Sequence, residues 1–131
     1  MVEINTTNAS MGSTAHWTAA ARAFESKRED HLFEDPWASA LAGIEGAAWA
    51  AARPPDSLTP MILRTRYFDD FLERVTSEDE IRQVILMAAG LDTRAYRLVW
   101  PAGMNVFELD QPAVLHEKEM VLHSSGARPN C

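Results

Sequence analysis

The sequence predicts an α/β protein: a cap of N-terminal helices followed by the opening strand–helix–strand–helix units of a doubly wound, parallel sheet. Three observations predict it. Apolar residues recur at helical spacing, with cap-and-proline starts, over residues 13–80. A continuous apolar run, Gln83-Val84-Ile85-Leu86-Met87-Ala88, then ends in Ala89-Gly90, as a strand buried on both faces would. After a short helical stretch, a second strand runs into an acid, Asp110.

Residues 1–12 read as a polar, mobile leader. From Ser13, with Ser13 or Thr14 as cap, Trp17, Ala20, Ala21 and Phe24 mark a first helix. Asp35-Pro36 reads as the cap and first position of a second helix, with Trp37, Leu41, Ile44 and Trp49 on its buried side. Gly43 and Gly46 weaken it, so a break in its middle is expected. Arg53-Pro54-Pro55-Asp56 is a loop. Thr59-Pro60 repeats the helix-start signal, opening a third helix to about Val75 with a stripe of Met61, Thr65, Phe68, Leu72 and Val75, helped by Phe71. Thr76 to Glu80 is a solvated connection or helical turn.

The second part begins with the strand at 83–88. Asp92 to Leu98 reads as a short helix, Trp100-Pro101-Ala102-Gly103 as a turn, and Met104 to Leu109 as the second strand. Asp110-Gln111-Pro112 opens a last helix, Ala113 to about His123, and Ser124 to Cys131 is a polar tail. The organisation is thus a leader (1–12), a helical cap (13–80), a first half of a sheet domain (81–123) and a tail (124–131). Two parallel strands leave too many unpaired edges and too much apolar surface to stand alone. The sheet is incomplete, and the chain is expected to be a fragment or to pair with something else.

At 131 residues the chain is long enough for one domain with a core. The formal charge of −7 argues against a nucleic-acid surface, which needs clustered Lys and Arg. The single cysteine, Cys131, favours a reducing compartment. The beginning, Met1 to Ser10, has no signal-peptide pattern, and no apolar stretch is long enough to span a membrane, so a cytoplasmic protein is expected. His16, His31, His116 and His123 show no ligand spacing, and no metal is expected.

The informative chemistry is a glycine after the first strand and an acid after the second. Gly90 and Asp110 stand about 20 residues apart, the spacing between phosphate turn and ribose acid in dinucleotide folds. Ala88, Ala89 and Gly90 allow close approach of backbone to a ligand, and Asp110 can accept both ribose hydroxyl protons. Leu91-Asp92-Thr93-Arg94 provides no glycines to cradle a pyrophosphate. A ligand with ribose and adenine but no phosphates fits better than NAD, and S-adenosylmethionine is such a cofactor.

The string Val84 to Leu98, VILMAAGLDTRAYRL, resembles the glycine motif of the leucine carboxyl methyltransferase family, closest to its bacterial S-adenosylmethionine-dependent and polyketide O-methyltransferase branch. Phe107-Glu108-Leu109-Asp110-Gln111-Pro112 is similar to the family's second-strand motif. Thr14-Ala15 to Ser26, and Arg64-Thr65-Arg66-Tyr67-Phe68-Asp69-Asp70, match upstream segments in the same order. The resemblance implies the start of a class I, Rossmann-like methyltransferase fold and transfer of a methyl group to an oxygen of a small-molecule acceptor. It implies that Asp110 holds the ribose hydroxyls, that the backbone of Ala88, Ala89 and Gly90 faces the methionine part, and that Arg64 pairs with the cofactor carboxylate. Arg22 takes the place of a basic residue that reaches the same carboxylate. Ala88 stands where eukaryotic members have glycine.

Each residue has a plainer alternative. Arg64 could pair with Asp69 or Glu73 on the helix surface. Asp110 could be the cap of the last helix, and Asp92 and Thr93 the cap of the short one. Trp17, Trp37, Phe68 and Phe71 read as core rather than cofactor-stacking residues. Asp69 and Asp70 are adjacent, so they face different ways and make a poor acid–base pair. Two other functions stay open: a nucleotide- or NAD-binding protein, and a non-catalytic domain that dimerises through its strand edge.

Overall fold

The computed structural model describes the backbone of residues 7–78 and 80–131, with side chains from Gly12 onward. Its elements follow the order α1 (Thr7–Ser26), α2 (Ala38–Ala51), a 3-10 turn (Pro55–Leu58), α3 (Thr59–Glu78), β1 (Gln83–Met87), α4 (Arg94–Arg97), β2 (Asn105–Leu109) and α5 (Pro112–Ser124). This is the expected α/β arrangement, helices first and then alternating strands and helices.

α1 begins at Thr7 rather than Ser13, so the backbone of residues 7–12 belongs to the helix, and residues 1–6 of the expected leader lie outside the described residues. Once the alanine-rich stretch around Ala19 to Ala23 is packed, each residue added upstream gains a hydrogen bond without a new nucleation cost. Ala19, Ala20 and Ala21 are buried, and their small side chains let α2 approach closely. At Gly46 the two helices are so close that a Cβ would stand 2.7 Å from the His16 carbonyl oxygen. Trp17 stacks on Trp49 with ring centroids 5.1 Å apart, and Arg53 lies over the same indole.

Asp35 caps the entry to α2 through the Trp37 amide at 3.1 Å, but the helix proper starts at Ala38, so Pro36 lies in the turn before it. The expected break is real: Gly43 adopts φ 61° and ψ −168° inside α2. That kink changes the phase of the helix. Leu41 is buried, whereas Ile44, expected in the core, is 92 % exposed and Gly46 faces α1 instead.

α3 opens at Thr59 as expected and runs to Glu78. Its buried stripe is Ile62, Thr65, Asp69, Leu72 and Thr76, at the three-and-four spacing of a single helix face. Phe68 and Phe71, expected in the core, are 45 % and 38 % exposed. Counting apolar residues misplaced the stripe because the inward position between Thr65 and Leu72 is a paired carboxylate, Asp69.

β1 and β2 pair in parallel, from Gln83 opposite Asn105 to Met87 opposite Leu109. One sheet face packs Val84 with Leu72, Leu98, Trp100 and Met104. On the other, Ile85 and Met87 are 61 % and 79 % exposed, and Phe107 and Leu109 about half exposed. The apolar run was read as a strand buried on both faces; among the described residues only one face is covered. The tail after α5 is not free. Gly126, at φ 71°, turns the chain, and Asn130 bonds back to α4 through its amide on Ala95 O at 2.8 Å. Among the described residues no helix is long and apolar enough to cross a membrane.

Candidate functional site

An open cleft of about 740 Å³ lies at the carboxyl ends of the two strands, between them and the helices α1 and α3. Arg22, Arg64, Ala88, Ala89, Gly90 and Asp110, chosen from the sequence, all line it. The carboxyl end of a parallel sheet is where open α/β folds bind ligands.

The floor is the turn after β1. Ala88 has φ 51° and Gly90 φ 54°, both in the left-handed region. For Ala88 that conformation costs about 1–2 kcal/mol; for Gly90 it is free of steric cost. Space is not the reason for glycine at 90, because a Cβ there would meet Ala15 at an ordinary 3.5 Å. Backbone bonds hold the turn: Ala89 N donates to Leu109 O at 3.0 Å and Asp92 N to Ala89 O at 2.9 Å.

Asp110 is tied to that floor. Its Oδ2 accepts from Gly90 N at 2.7 Å and its Oδ1 from Gln111 N at 2.7 Å. The cap position of α5 is Gln111, so Asp110 stands one residue before it. Each carboxylate oxygen has a second lone pair, which leaves acceptor capacity for a ligand in the cleft.

The two arginines differ. Arg64 is exposed, and none of the ion pairs among the described residues involves it. The alternative partner Asp69 is taken: its carboxylate accepts from Arg94 Nε at 2.8 Å and from Arg97 Nη1 and Nη2 at 2.7 and 2.8 Å. Burial opposes the Arg97 charge, but the hydrogen bonds and attraction of Asp69, with Asp35 and Asp92 behind it, outweigh that and raise its pKa. Arg22 is buried and committed, with Nε on Asp35 Oδ2 at 2.9 Å and Nη2 on Leu91 O at 2.6 Å.

Asp92 does cap α4, accepting from Arg94 N at 2.7 Å and pairing with the Arg94 guanidinium. Thr93 occupies the cap position without a capping bond; its hydroxyl donates to Asp35 Oδ2 at 2.6 Å. Asp69 is buried while Asp70 is exposed and pairs with Arg66, so the adjacent acids are indeed separated. Trp17 and Trp37 pack on Trp49 and Tyr96, as core residues do. Phe68 and Phe71, by contrast, form cleft wall. Sequence reasoning missed Asp35, read only as a helix start, and the buried pair Lys118–Glu108 beneath the turn. The signal for Lys118 was its place on the apolar side of α5.

Fold and cleft define an α/β unit whose open cleft carries a carboxylate, Asp110, beside the turn after β1, with no glycine-rich run in that turn. A family model for leucine carboxyl methyltransferases matches residues 15–131, and the chain belongs to that family. It is 43% identical over 134 residues to a Mycobacterium tuberculosis H37Rv protein, covering 92% of this chain and 44% of that one. A Parafrankia sp. EAN1pec protein is 44% identical over 135 residues, covering 95% and 43%. A Mycolicibacterium paratuberculosis K-10 protein is 41% identical over 141 residues, covering 92% and 43%. All three carry the assigned name S-adenosyl-L-methionine-dependent methyltransferase. The chain thus spans less than half the length of these relatives.

Proposed function

We propose that this chain forms part of the S-adenosylmethionine site of an O-methyltransferase acting on a carboxyl or hydroxyl oxygen of a small-molecule or polyketide-like acceptor. One observation carries the reading. Residues spread from 22 to 110 in the sequence converge on a single cleft that offers a cation, Arg64, with no ion-pair partner among the described residues, and a carboxylate with spare acceptor capacity, Asp110. That donor set suits a ligand with a carboxylate at one end and ribose hydroxyls at the other, and it lacks what a pyrophosphate needs.

In this reading Asp110 accepts from the ribose hydroxyls, and the backbone of Ala88, Ala89 and Gly90 lies along the methionine part. Arg64 pairs with the cofactor carboxylate through its planar fork. Arg22, which also lines the cleft, is the second basic residue of this reading, with its Nε and Nη2 held by Asp35 and the Leu91 carbonyl. When bound, the sulfonium supplies an electrophilic methyl group. The chain's own part is alignment and exclusion of water, for which Met61, Phe68 and Phe71 give an apolar wall. No histidine is among the residues lining the cleft, and Asp92 is engaged by Arg94. An acceptor that arrives as a carboxylate needs no base, whereas a hydroxyl acceptor needs one from elsewhere.

The exposed row of Ile85, Met87, Phe107 and Leu109 supports a further element of the reading: this chain acts as a fragment whose sheet is completed by additional strands and helices. The single cysteine fits a cytoplasmic setting. Calorimetric titration with S-adenosylmethionine, with NAD as control, tests the proposal. Saturable binding of the sulfonium cofactor alone, lost in Asp110→Ala, is expected. A folded chain that binds neither, and sediments as a stable dimer, would overturn it in favour of an interaction domain.

A further inference from the structure

Two consecutive carbonyls of the cleft turn each face a buried cation. Arg22 Nη2 donates to Leu91 O at 2.6 Å, and Lys118 Nζ donates to Asp92 O at 3.2 Å. Each cation has its own carboxylate from a different element: Asp35 for Arg22 at 2.9 Å, and Glu108 for Lys118 at 2.5 Å. The Asp35 side chain is fully buried and that of Lys118 is 2% exposed. The next residue along, Thr93, donates its hydroxyl to the same Asp35 oxygen that Arg22 uses. α1, the loop before α2 and α5 therefore all grip one four-residue segment, Gly90 to Thr93, while β2 holds Lys118 in place through Glu108.

Stability alone is a poor reason for this arrangement. Turn carbonyls are satisfied by water at little cost, and burying ion pairs gains little over apolar packing. The Glu108–Lys118 pair is not even optimised, because the buried Glu108 Oε1 has no hydrogen-bond partner among the described residues. What two charged clamps do supply is a fixed direction for two neighbouring peptide groups. With both carbonyls bound, the neighbouring left-handed Ala88 and the Gly90 N–H to Asp110 bond are restrained.

We propose that Asp35–Arg22 and Glu108–Lys118 are positioning pairs that fix the cleft turn in its ligand-ready form. The function of that form rests on the cofactor reading above; the clamp itself does not. Neither Asp35 nor Lys118 lines the cleft, so both act through the turn.

Amide hydrogen exchange on the 131-residue chain tests the clamp without ligand. Arg22→Lys keeps a charge for Asp35 but loses the fork, and the double variant Glu108→Gln/Lys118→Met removes the second clamp without leaving an unpaired charge. In each, the amides of Gly90, Asp92 and Arg94 are expected to exchange about tenfold faster, while Leu41 and Asn105 keep wild-type rates. S-adenosylhomocysteine affinity is expected to fall about tenfold in both. Unchanged exchange at the three turn amides, or equal acceleration at Leu41 and Asn105, overturns the positioning role. A wild-type chain that does not bind S-adenosylhomocysteine removes the cofactor reading instead, and the exchange data still decide the clamp.

Discussion

The Gly90 amide donates to Asp110 Oδ2 at 2.7 Å, so the turn that ends one strand is fastened to the acid that ends the other. A single carboxylate thereby sets the distance between cleft floor and cleft side. The residue read as a ribose acid is also a structural strut, and changing it must affect both tasks.

Asp110→Asn keeps the shape but brings an NH2 group towards the Gly90 or Gln111 amide. The expected loss is about 1.5–3 kcal/mol of stability in urea unfolding, with S-adenosylhomocysteine affinity reduced by at least about tenfold. A stability loss with unaltered affinity would confine Asp110 to the strut.

Arg64 is exposed and takes part in no ion pair among the described residues. Arg64→Ala is expected to change stability by less than about 0.5 kcal/mol. Its effect belongs to binding: calorimetry should give a roughly 1.5–3 kcal/mol weaker S-adenosylhomocysteine complex, with adenosine affinity unchanged. Arg64→Lys should recover only part, since an ammonium cannot meet a carboxylate with two parallel bonds.

Ala88 holds φ 51° at a steric cost that glycine would not carry. Ala88→Gly is expected to stabilise the chain by about 1 kcal/mol, and Ala88→Val to destabilise it by more than that, since branching at Cβ worsens the left-handed region. Thermal unfolding of the three proteins checks the order Gly, Ala, Val.

Asp69 neutralises Arg94 and Arg97 together in a buried setting. Truncating it strands the Arg97 guanidinium, while Arg94 retains Asp92. Asp69→Ala should cost about 3 kcal/mol in equilibrium unfolding. A loss below about 1 kcal/mol would mean that water reaches the site and takes over the arginine protons.

Although Cys131 is exposed, partial desolvation of its thiol by the neighbouring chain pushes its pKa up, a hydrogen bond with the Val106 backbone works against this, and Glu108 adds to it. The thiol therefore keeps its proton to higher pH in the folded chain than when unfolded. Alkylation at pH 8 should be slower than for the same chain in urea, and the gap should close as pH rises. The sign follows directly: this group favours folding below the ordinary thiol range, and the contribution is lost as pH rises through the folded value.

Much of the fold was legible because local signals agreed with tertiary ones. Thr59-Pro60, the apolar run at 83–87 and the glycine-then-acid order each had one structural solution. The errors came where a polar group took an interior place or a kink shifted the phase of a helix. Asp69 displaced Phe68 and Phe71 from the core side of α3, and the Gly43 kink turned Ile44 outward. The cleft residues were legible through resemblance, whereas Asp35, Thr93 and Lys118 were not. Their partners lie 13, 58 and 10 residues away, and no local pattern announces such pairing.

The cleft wall joins Thr14 on α1 to Val114 on α5, 101 positions of the 131-residue chain. The stacked α1–α2 pair closes over a short loop, but β1 and β2 must meet in parallel across an intervening helix. Contacts of such unequal reach form on unequal schedules, local ones first and crossovers last. A cleft that needs the β1–β2 crossover is therefore expected to close later in folding than the α1–α2 contact, so its backbone amides should gain protection last in pulse-labelled refolding.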